Sequence, residues 1–322
     1  MDPAALSRLA GASPVPLEAL KPLGALTSFK CGGPAALFGR PGTLEELERL
    51  RLFALDNSLP FMVLGGGNNV LFDDLGFRGL AARLSGELGR VSFAGGGPLS
   101  GRGAAAVTAG AGAALSEVAD KAREAGRAGW ARLRGIPGTV GGALAMNAGA
   151  GGAEVGQLVS GVTVLGPGGR RVVGREEAGF RYRCSDLGLM GPIAEAEFLL
   201  GEEAAESEIL ALERETLAAR KARLPGGPSA GSVFRNPEGA EAAKCGGKSA
   251  GRLIEECGLK GSAVGGAVIS PKHANVIVNA GGATSSEIRA LAGKARLEVL
   301  KRHGVELVLE IRMLDLGGES YP

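Results

Sequence analysis

Phe61-Met62-Val63-Leu64-Gly65-Gly66-Gly67-Asn68-Asn69 joins a short apolar run to three consecutive glycines and two asparagines. The apolar run reads as a buried strand, and the glycines as the loop into which it breaks. Consecutive glycines let a backbone approach a phosphate closely, with N–H groups turned toward its oxygens. An ordinary connecting loop has the same local sequence, so the stretch takes its meaning from the rest of the chain.

That chain has 322 residues, of which 56 are glycine and 16 proline. Together they make up about 22%, below the roughly 25–30% typical of low-complexity disorder. With 45% hydrophobic residues the glycine excess belongs to a folded protein, and the length suits two or three domains with substantial cores. The net charge is +2, from 36 basic and 34 acidic residues with no polybasic run. General binding to nucleic acid or anionic membranes therefore has no electrostatic support. No apolar run reaches membrane-spanning length, and the first residues do not form a secretory signal. Cys31, Cys184, Cys245 and Cys257 are scattered without a Cys-x-x-Cys pair. They read as reduced thiols and small apolar residues in a cytoplasmic protein. Only His273 and His303 are present, so histidine-rich metal sites are excluded and no metal is expected.

The spacing predicts a helix from Thr43 to Leu52 with a Thr43–Glu46 capping box. Strand 107–109 leads into a helix at 115–124, and strands 160–165 and 170–173 flank a Gly-Pro-Gly-Gly turn. A charged helix is expected over 202–223, closed by Pro225, followed by a Gly/Pro/Ser-rich stretch that reads as a boundary. Beyond it come a short helix at 251–257, a strand at 274–279, a helix at 286–303 stopped by Gly304, and an alternating strand at 305–314. Strands and helices segregated in this way indicate an α+β fold. Residues 135–152 show neither period.

Two further glycine motifs fail as nucleotide signatures. Gly110-Ala111-Gly112-Ala113-Ala114-Leu115 imitates the dinucleotide fingerprint, but the last position is leucine where a small residue is needed, and no acidic residue follows at the required offset. Gly247-Lys248-Ser249 resembles the end of a P-loop, but Ala242 stands where the first glycine belongs; Ser249 is a helix N-cap.

Several ordered segments together match one family. They are residues 26–35, Val63-Leu64-Gly65-Gly66-Gly67-Asn68-Asn69-Val70-Leu71, Gly135-Ile136-Pro137-Gly138-Thr139-Val140-Gly141-Gly142-Ala143 running on to Met146-Asn147-Ala148-Gly149-Ala150, Tyr182-Arg183-Cys184-Ser185, and Pro228-Ser229-Ala230-Gly231-Ser232-Val233-Phe234-Arg235-Asn236-Pro237. Residues 250–261, Ser270-Pro271-Lys272-His273-Ala274-Asn275 and Leu309-Glu310-Ile311-Arg312 complete the set. The chain resembles the UDP-N-acetylenolpyruvoylglucosamine reductase (UDP-N-acetylmuramate dehydrogenase) family from about residue 22 to 313.

The resemblance implies a two-lobed FAD-binding domain of the vanillyl-alcohol-oxidase (PCMH) type at 1–204, with lobes of about 1–84 and 85–204. An α+β substrate-binding domain follows at 205–316, with a tail at 317–322. It implies non-covalent FAD, because the first histidine, His273, lies outside the flavin segments, and NADPH as co-substrate in the pocket that also takes the UDP-sugar. The implied cofactor-binding residues are Gly65, Gly66, Gly67, Asn68, Asn69, Gly135, Ile136, Pro137, Gly138, Val140, Gly141, Ala148, Gly149 and Arg220. The implied substrate-binding residues are Tyr182, Arg235, Asn236 and Lys272. Arg183 is implied as the cation for the substrate carboxylate, Ser232 as the proton donor, and Glu310 as a polariser or proton relay paired with Arg183. No obligate protein partner, nucleic acid or membrane insertion is implied, and the activity serves peptidoglycan precursor synthesis and so cell shape and division.

On their own residues, Arg183 reads as a surface arginine and Ser232 as a turn serine. Glu310 lies in an apolar strand, where it is either outward-facing or buried and paired. Another FAD-dependent oxidase or dehydrogenase of the same fold, or a non-enzymatic nucleotide-sugar-binding protein, are the alternatives. The sequence departs from the family at Asn68, where Ser or Thr is usual, at Gly151, where an aromatic is common, and at Leu224. The short interval between Arg183 and Ser232 resembles the family's class without an extra substrate-covering loop.

Overall fold

The computed structural model describes residues 2–94 and 106–318, so the tail expected from 317 lies outside the described residues beyond 318. The first lobe contains α1 (Pro3–Gly11), β1 (Leu17–Pro22), β2 (Pro34–Gly39), α2 (Leu44–Asp56), β3 (Phe61–Val63), β4 (Val70–Phe72) and β5 (Phe77–Ala82). Its sheet has the order β1-β2-β5-β3, with β1 antiparallel to β2 and the other pairs parallel. Thr43 Oγ1 accepts from Glu46 N at 3.2 Å, and the Glu46 carboxylate accepts from Gly42 N at 2.6 Å. The expected box thus forms, with its return bond reaching one residue further back. Leu47, Leu50 and Ala54 of α2 are buried, as its spacing demands.

The second lobe contains β6 (Val91–Ala94), β7 (Ala106–Gly110), α3 (Leu115–Glu124), α4 (Val140–Ala145), β8 (Gly149–Ala150), β9 (Ala153–Glu154), β10 (Val159–Gly166), β11 (Gly169–Gly174), α5 (Leu187–Met190) and β12 (Ile193–Leu199). Its sheet, β11-β10-β12-β7-β6, is antiparallel throughout. That explains the failed fingerprint at 110–115: the motif does join a strand to a helix, but not within a parallel βαβ unit. Trp130 is fully buried, edge-on to Phe198 at 5.0 Å, in this lobe's core.

Then follow α6 (Glu206–Arg223), α7 (Gly239–Lys244), α8 (Ala250–Glu256), β13 (Ala263–Val264), β14 (Ala267–Ile269), β15 (Ile277–Asn279), α9 (Ser285–His303) and β16 (Arg312–Leu314). A separate apolar core gathers Val233, Phe234, Leu253, Ile277, Ile288 and Leu291 with others of this region. Helix α9 carries a full Thr284–Glu287 capping box and stops at Gly304 in the left-handed conformation, φ +66°.

Three expectations need correction. The helix expected from 202 begins at Glu206, where the Glu208 carboxylate caps Ala205 N. The strand expected over 274–279 is limited to 277–279, because Asn275 turns its amide onto the backbone N and O of Phe234. The alternating run 305–314 is not one strand. Leu309 bridges Phe234, then the chain crosses to the first lobe and only β16 forms a ladder, parallel to β4. The alternation records burial of Val305 and Leu307, not continuous pairing.

The C-terminal region is pinned to the first lobe by more than that ladder. Asp74 accepts from Ser285 N at 2.6 Å and from Ser286 N and Oγ at 2.9 and 2.6 Å. Asp73 pairs with Arg289 at 2.7 Å. Buried Asn279 donates to Phe29 O at 2.8 Å.

Candidate active site

A cleft of about 1160 Å³ lies where the two lobes and the C-terminal region meet. The loop Gly65–Asn69 forms one wall. Gly67 has φ +68°, and a Cβ there would collide with the carbonyl oxygen of Leu26. A Cβ at Gly66 would lie 2.8 Å from Gly138 Cα, so the two glycine-rich segments meet backbone to backbone. Among the described residues, the N–H groups of Gly65, Gly66, Gly67 and Asn68 have no protein acceptor. Such a row of free donors suits phosphate oxygens. The Asn68 amide Nδ2 donates to Ser28 Oγ at 2.7 Å.

The second wall runs from Ile136 to Ala150. It contains α4, which periodicity does not reveal because its six residues are Val-Gly-Gly-Ala-Leu-Ala. Thr139 starts it as N-cap. Gly138, Gly141, Ala148 and Gly149 border the cleft, as do Ile136 and Pro137. Val140 does not; it is fully buried in the second lobe's core. Gly135, with φ +84°, packs beneath Leu217 of α6.

Arg183 occupies the tip of a two-residue turn. Arg181 N donates to Cys184 O at 2.9 Å, and Cys184 N to Arg181 O at 3.0 Å. Its φ is +56°, a strained left-handed conformation for a residue with a Cβ. From there its Nε lies 2.9 Å from Glu310 Oε1, with side-chain exposures of 21% and 18%. The contact is an ion pair and not a well-aligned hydrogen bond. Glu310 is therefore paired rather than outward-facing. Its backbone N donates to Val233 O at 2.8 Å, and its carbonyl accepts from Asn69 Nδ2 at 2.9 Å. That pairing sets Val233 opposite Glu310, and Ser232, the residue before Val233, also borders the cleft. Burial holds the Glu310 carboxyl above its ordinary range, opposed by the charges of Arg183 and Arg235.

The cleft is strongly cationic. Arg83, Arg132, Arg134, Arg220 and Arg223 line it with Arg183, against Glu215 and Glu310. Burial pushes Arg220 below its ordinary value, aided by repulsion from Arg223 and Arg183. An anion beside Arg220 would relieve both penalties. Arg83 reaches back to Gly65 O at 3.1 Å, a contact between residues 18 apart that no local motif signals. Arg223, at the end of α6, reads in sequence only as a cation suited to a helix C-terminus.

Four expected substrate residues do not line the cleft. Arg235 is close enough to Glu310 to act on its charge. Asn236 Oδ1 accepts from Ala250 N at 3.1 Å at the start of α8. Lys272 Nζ donates to Lys221 O and Leu224 O at 2.9 and 2.7 Å, closing the C-terminus of α6. Tyr182 lies under the Arg183 guanidinium, 5.1 Å from ring centroid to Cζ. His303 lies 3.7 Å from Glu256 and His273 packs beside Gly251, and neither lines the cleft.

Residues 35–174 match the FAD binding domain family, and residues 221–314 match the family described as UDP-N-acetylenolpyruvoylglucosamine reductase, C-terminal domain. The reductase of Heliobacterium modesticaldum is 40% identical over 305 residues, 93% of this chain and 91% of its own length. Reductase 2 of Symbiobacterium thermophilum is 38% identical over 296 residues, 91% of this chain and 90% of its own. The chain belongs to the UDP-N-acetylenolpyruvoylglucosamine reductase family. The crystal structure of the reductase from Thermus caldophilus aligns with a TM-score of 0.74 at 35% identity, covering 93% of this chain and 98% of that one. A BBE-like 1 protein of Physcomitrella patens shares the fold alone, with a TM-score of 0.53 at 11% identity over 92% of this chain and 88% of its own.

Membership makes the chain an FAD-dependent oxidoreductase with the two-lobed flavin fold. The residues fit that cofactor. Close-approach glycines, unpaired N–H groups at 65–68 and the cationic wall suit the diphosphate, and the Gly/Ala floor from 136 to 150 leaves room for a flat ring system. No group of three or more His, Cys, Asp or Glu among the described residues could hold a metal ion.

Proposed function

We propose that this cleft carries out the NADPH-dependent, FAD-mediated reduction of the enolpyruvyl group of UDP-N-acetylenolpyruvoylglucosamine to UDP-N-acetylmuramate, with Arg183, Glu310 and Ser232 as its working side chains. The observation that carries this reading is the Arg183–Glu310 pair, in the cleft that Ser232 also lines. FAD, when bound, takes hydride from NADPH and supplies hydride to the substrate double bond.

The protein's share is electrostatic and acid–base. Reduction at the terminal carbon drives negative charge onto the adjacent carbon and into its carboxylate. The Arg183 guanidinium opposes that charge in a partly dry site, where it counts for more than in water. Glu310 holds the guanidinium by its Nε edge, leaving the Nη groups for the carboxylate. The Ser232 hydroxyl gives its proton to the adjacent carbon and is reprotonated from solvent; a weak acid does this only when aimed and shielded. Arg220 and Arg223 line the cleft and would hold diphosphate groups there. Gly65, Gly66, Gly67, Gly138, Gly141 and Gly149 would hold the flavin through backbone contacts.

The domain limits near 84 and 204 belong to the same reading, although α6, just past 204, lies against the second lobe through Glu213–Arg123 at 3.0 Å and Leu217–Gly135. The setting is cytoplasmic, where peptidoglycan precursors form, and through them the activity serves cell shape and division. Four free cysteines suit a reducing compartment, and no described helix is long and apolar enough to cross a membrane.

The test is anaerobic. Enzyme reduced by NADPH is mixed with UDP-N-acetylenolpyruvoylglucosamine, and flavin absorbance is followed. Reoxidation by the sugar is expected. Reduced flavin that persists in its presence would sink the proposal in favour of another flavin dehydrogenase.

A further inference from the structure

Asn147 is not among the residues assigned above, yet it holds the turn on which Arg183 depends. It is 2% exposed, with φ +41°. A buried amide must satisfy its polar atoms internally, and this one does so across three segments. Nδ2 donates to Glu154 Oε2 at 2.8 Å and to Arg181 O at 3.0 Å, and Oδ1 accepts from Gly156 N at 2.9 Å. One side chain thus ties the end of α4, the strand β9 with its following turn, and the hairpin 181–184.

The Arg181 carbonyl is the decisive partner, because it also accepts the Cys184 N–H that closes the turn. Left-handed conformations in residues with a side chain persist only where their surroundings over-determine them. Here the surroundings include the Asn147 amide, Ser185 Oγ, which donates to Ala145 O at 3.3 Å, and the Arg181–Asp186 ion pair at the base of the hairpin. Gly149 closes the arrangement from the cleft side. A Cβ there would lie 3.3 Å from Arg183 Nη1 and 2.9 Å from Glu154 Cγ. Glu154, which accepts from Asn147, and Arg183 therefore both approach one glycine, with the guanidinium as the member that projects to Glu310.

We propose that Asn147 is a positioning residue for the sugar half-reaction: through the Arg181 carbonyl it fixes the left-handed turn that aims the Arg183 guanidinium across the cleft at Glu310. The inference rests on the role proposed for Arg183. Its sign is clear from the geometry. Without the amide donor, the Arg181 carbonyl loses one of its two bonds and the turn is free to relax toward ordinary φ, which swings the guanidinium away. A misplacement of about 1 Å costs on the order of 100-fold in rate.

The test uses FAD-loaded wild type, Asn147→Ser, Asn147→Asp, Arg183→Lys and the double variant Asn147→Ser/Arg183→Lys. Flavin content, unfolding midpoint, reduction by NADPH and reoxidation by the sugar are measured for each. Asn147→Ser and Asn147→Asp are expected to slow reoxidation by about 30- to 100-fold while NADPH reduction and flavin content stay within about threefold of wild type. In the double variant the Asn147 penalty should nearly vanish, because a residue that acts through Arg183 has little left to lose once Arg183 is replaced. Multiplicative penalties, equal slowing of both half-reactions, or loss of flavin from both Asn147 variants would make Asn147 a plain structural strut and overturn the proposal. If Arg183→Lys itself leaves reoxidation unchanged, it is the role of Arg183 that fails, and this inference with it.

Discussion

Replacing Glu310 by glutamine separates the energetic role of the Arg183–Glu310 pair from its chemical one. The carboxylate is 18% exposed, with the guanidinium Nε at 2.9 Å. At about 4 Å between charge centres and an effective dielectric near 20, the attraction is roughly 4 kcal/mol before desolvation is counted. Burial costs at least as much, because the carboxyl sits above its ordinary value despite two arginines nearby. A carboxyl raised by folding binds its proton more tightly in the native state than in the unfolded chain. Its contribution to stability is therefore full below the ordinary carboxylate range and falls as pH rises through the folded value. At neutral pH the charge is a net burden, and glutamine removes it at nearly constant shape. Glu310→Gln should thus unfold within about 3 °C of wild type at pH 7, or above it, since 1 kcal/mol corresponds to roughly 2–4 °C at this size. The sugar half-reaction should nevertheless fall by about 10²- to 10³-fold, comparable to loss of one electrostatic partner at a site of developing charge. Scanning calorimetry at pH 5 and 7, paired with single-turnover reoxidation, checks both halves. A drop of more than 5 °C at pH 7 with reoxidation intact would refute the reasoning, since the pair would then be a structural strut.

Three further outcomes follow from the geometry. Gly67→Ala places a methyl group against the Leu26 carbonyl at φ +68° and should purify with little flavin and a midpoint lowered by several degrees, read by absorbance and calorimetry. Asp74→Ala removes the bonds to Ser285 and Ser286 that tie α9 to the first lobe, at a cost of about 1–2 kcal/mol. Burial pulls the Asp74 carboxyl up, but the Ser286 hydroxyl and the two N–H groups outweigh it and hold it below its ordinary value. The stability gap between wild type and Asp74→Ala should therefore be widest near neutral pH and close as pH falls through the carboxylate range, followed by denaturant titration at several pH values. Arg220→Met should keep the fold, because its burial is already unfavourable to the charge, yet weaken flavin or sugar binding at least tenfold in a calorimetric titration.

What was legible in the sequence was what local chemistry decides. Thr43 and Thr284 announce the starts of α2 and α9, and Gly304 the end of α9, because a cap or a left-handed stop needs only its neighbours. The strand at 61–63 and the loop behind it were likewise readable, but the strand is a half-buried edge strand and not the buried one that its apolar run suggests, because it pairs on one side only. The short helix α4 was not, since Gly-Ala sequence carries no apolar stripe. The run 305–314 misled because its alternation reflects burial while its partners change from Phe234 to Val70–Phe72. At the site, the Arg183–Glu310 pairing implied by the resemblance appears in the geometry. Lys272 closes the end of α6, and Val140 lies within the core, contacts that the motifs themselves do not spell out. Arg83 and Asn147 act through partners 18 and 34 residues away, separations that no local pattern encodes.

The central claim is that Ser232 acts on the sugar and not on the flavin's reduction by NADPH. Stopped-flow measurement of both half-reactions in Ser232→Ala tests it most directly. The account predicts NADPH reduction within about threefold of wild type and reoxidation by the sugar slowed by about 10²- to 10³-fold, the usual scale for a lost general acid. Equal collapse of the two half-reactions, or sugar turnover near the wild-type rate, would contradict it.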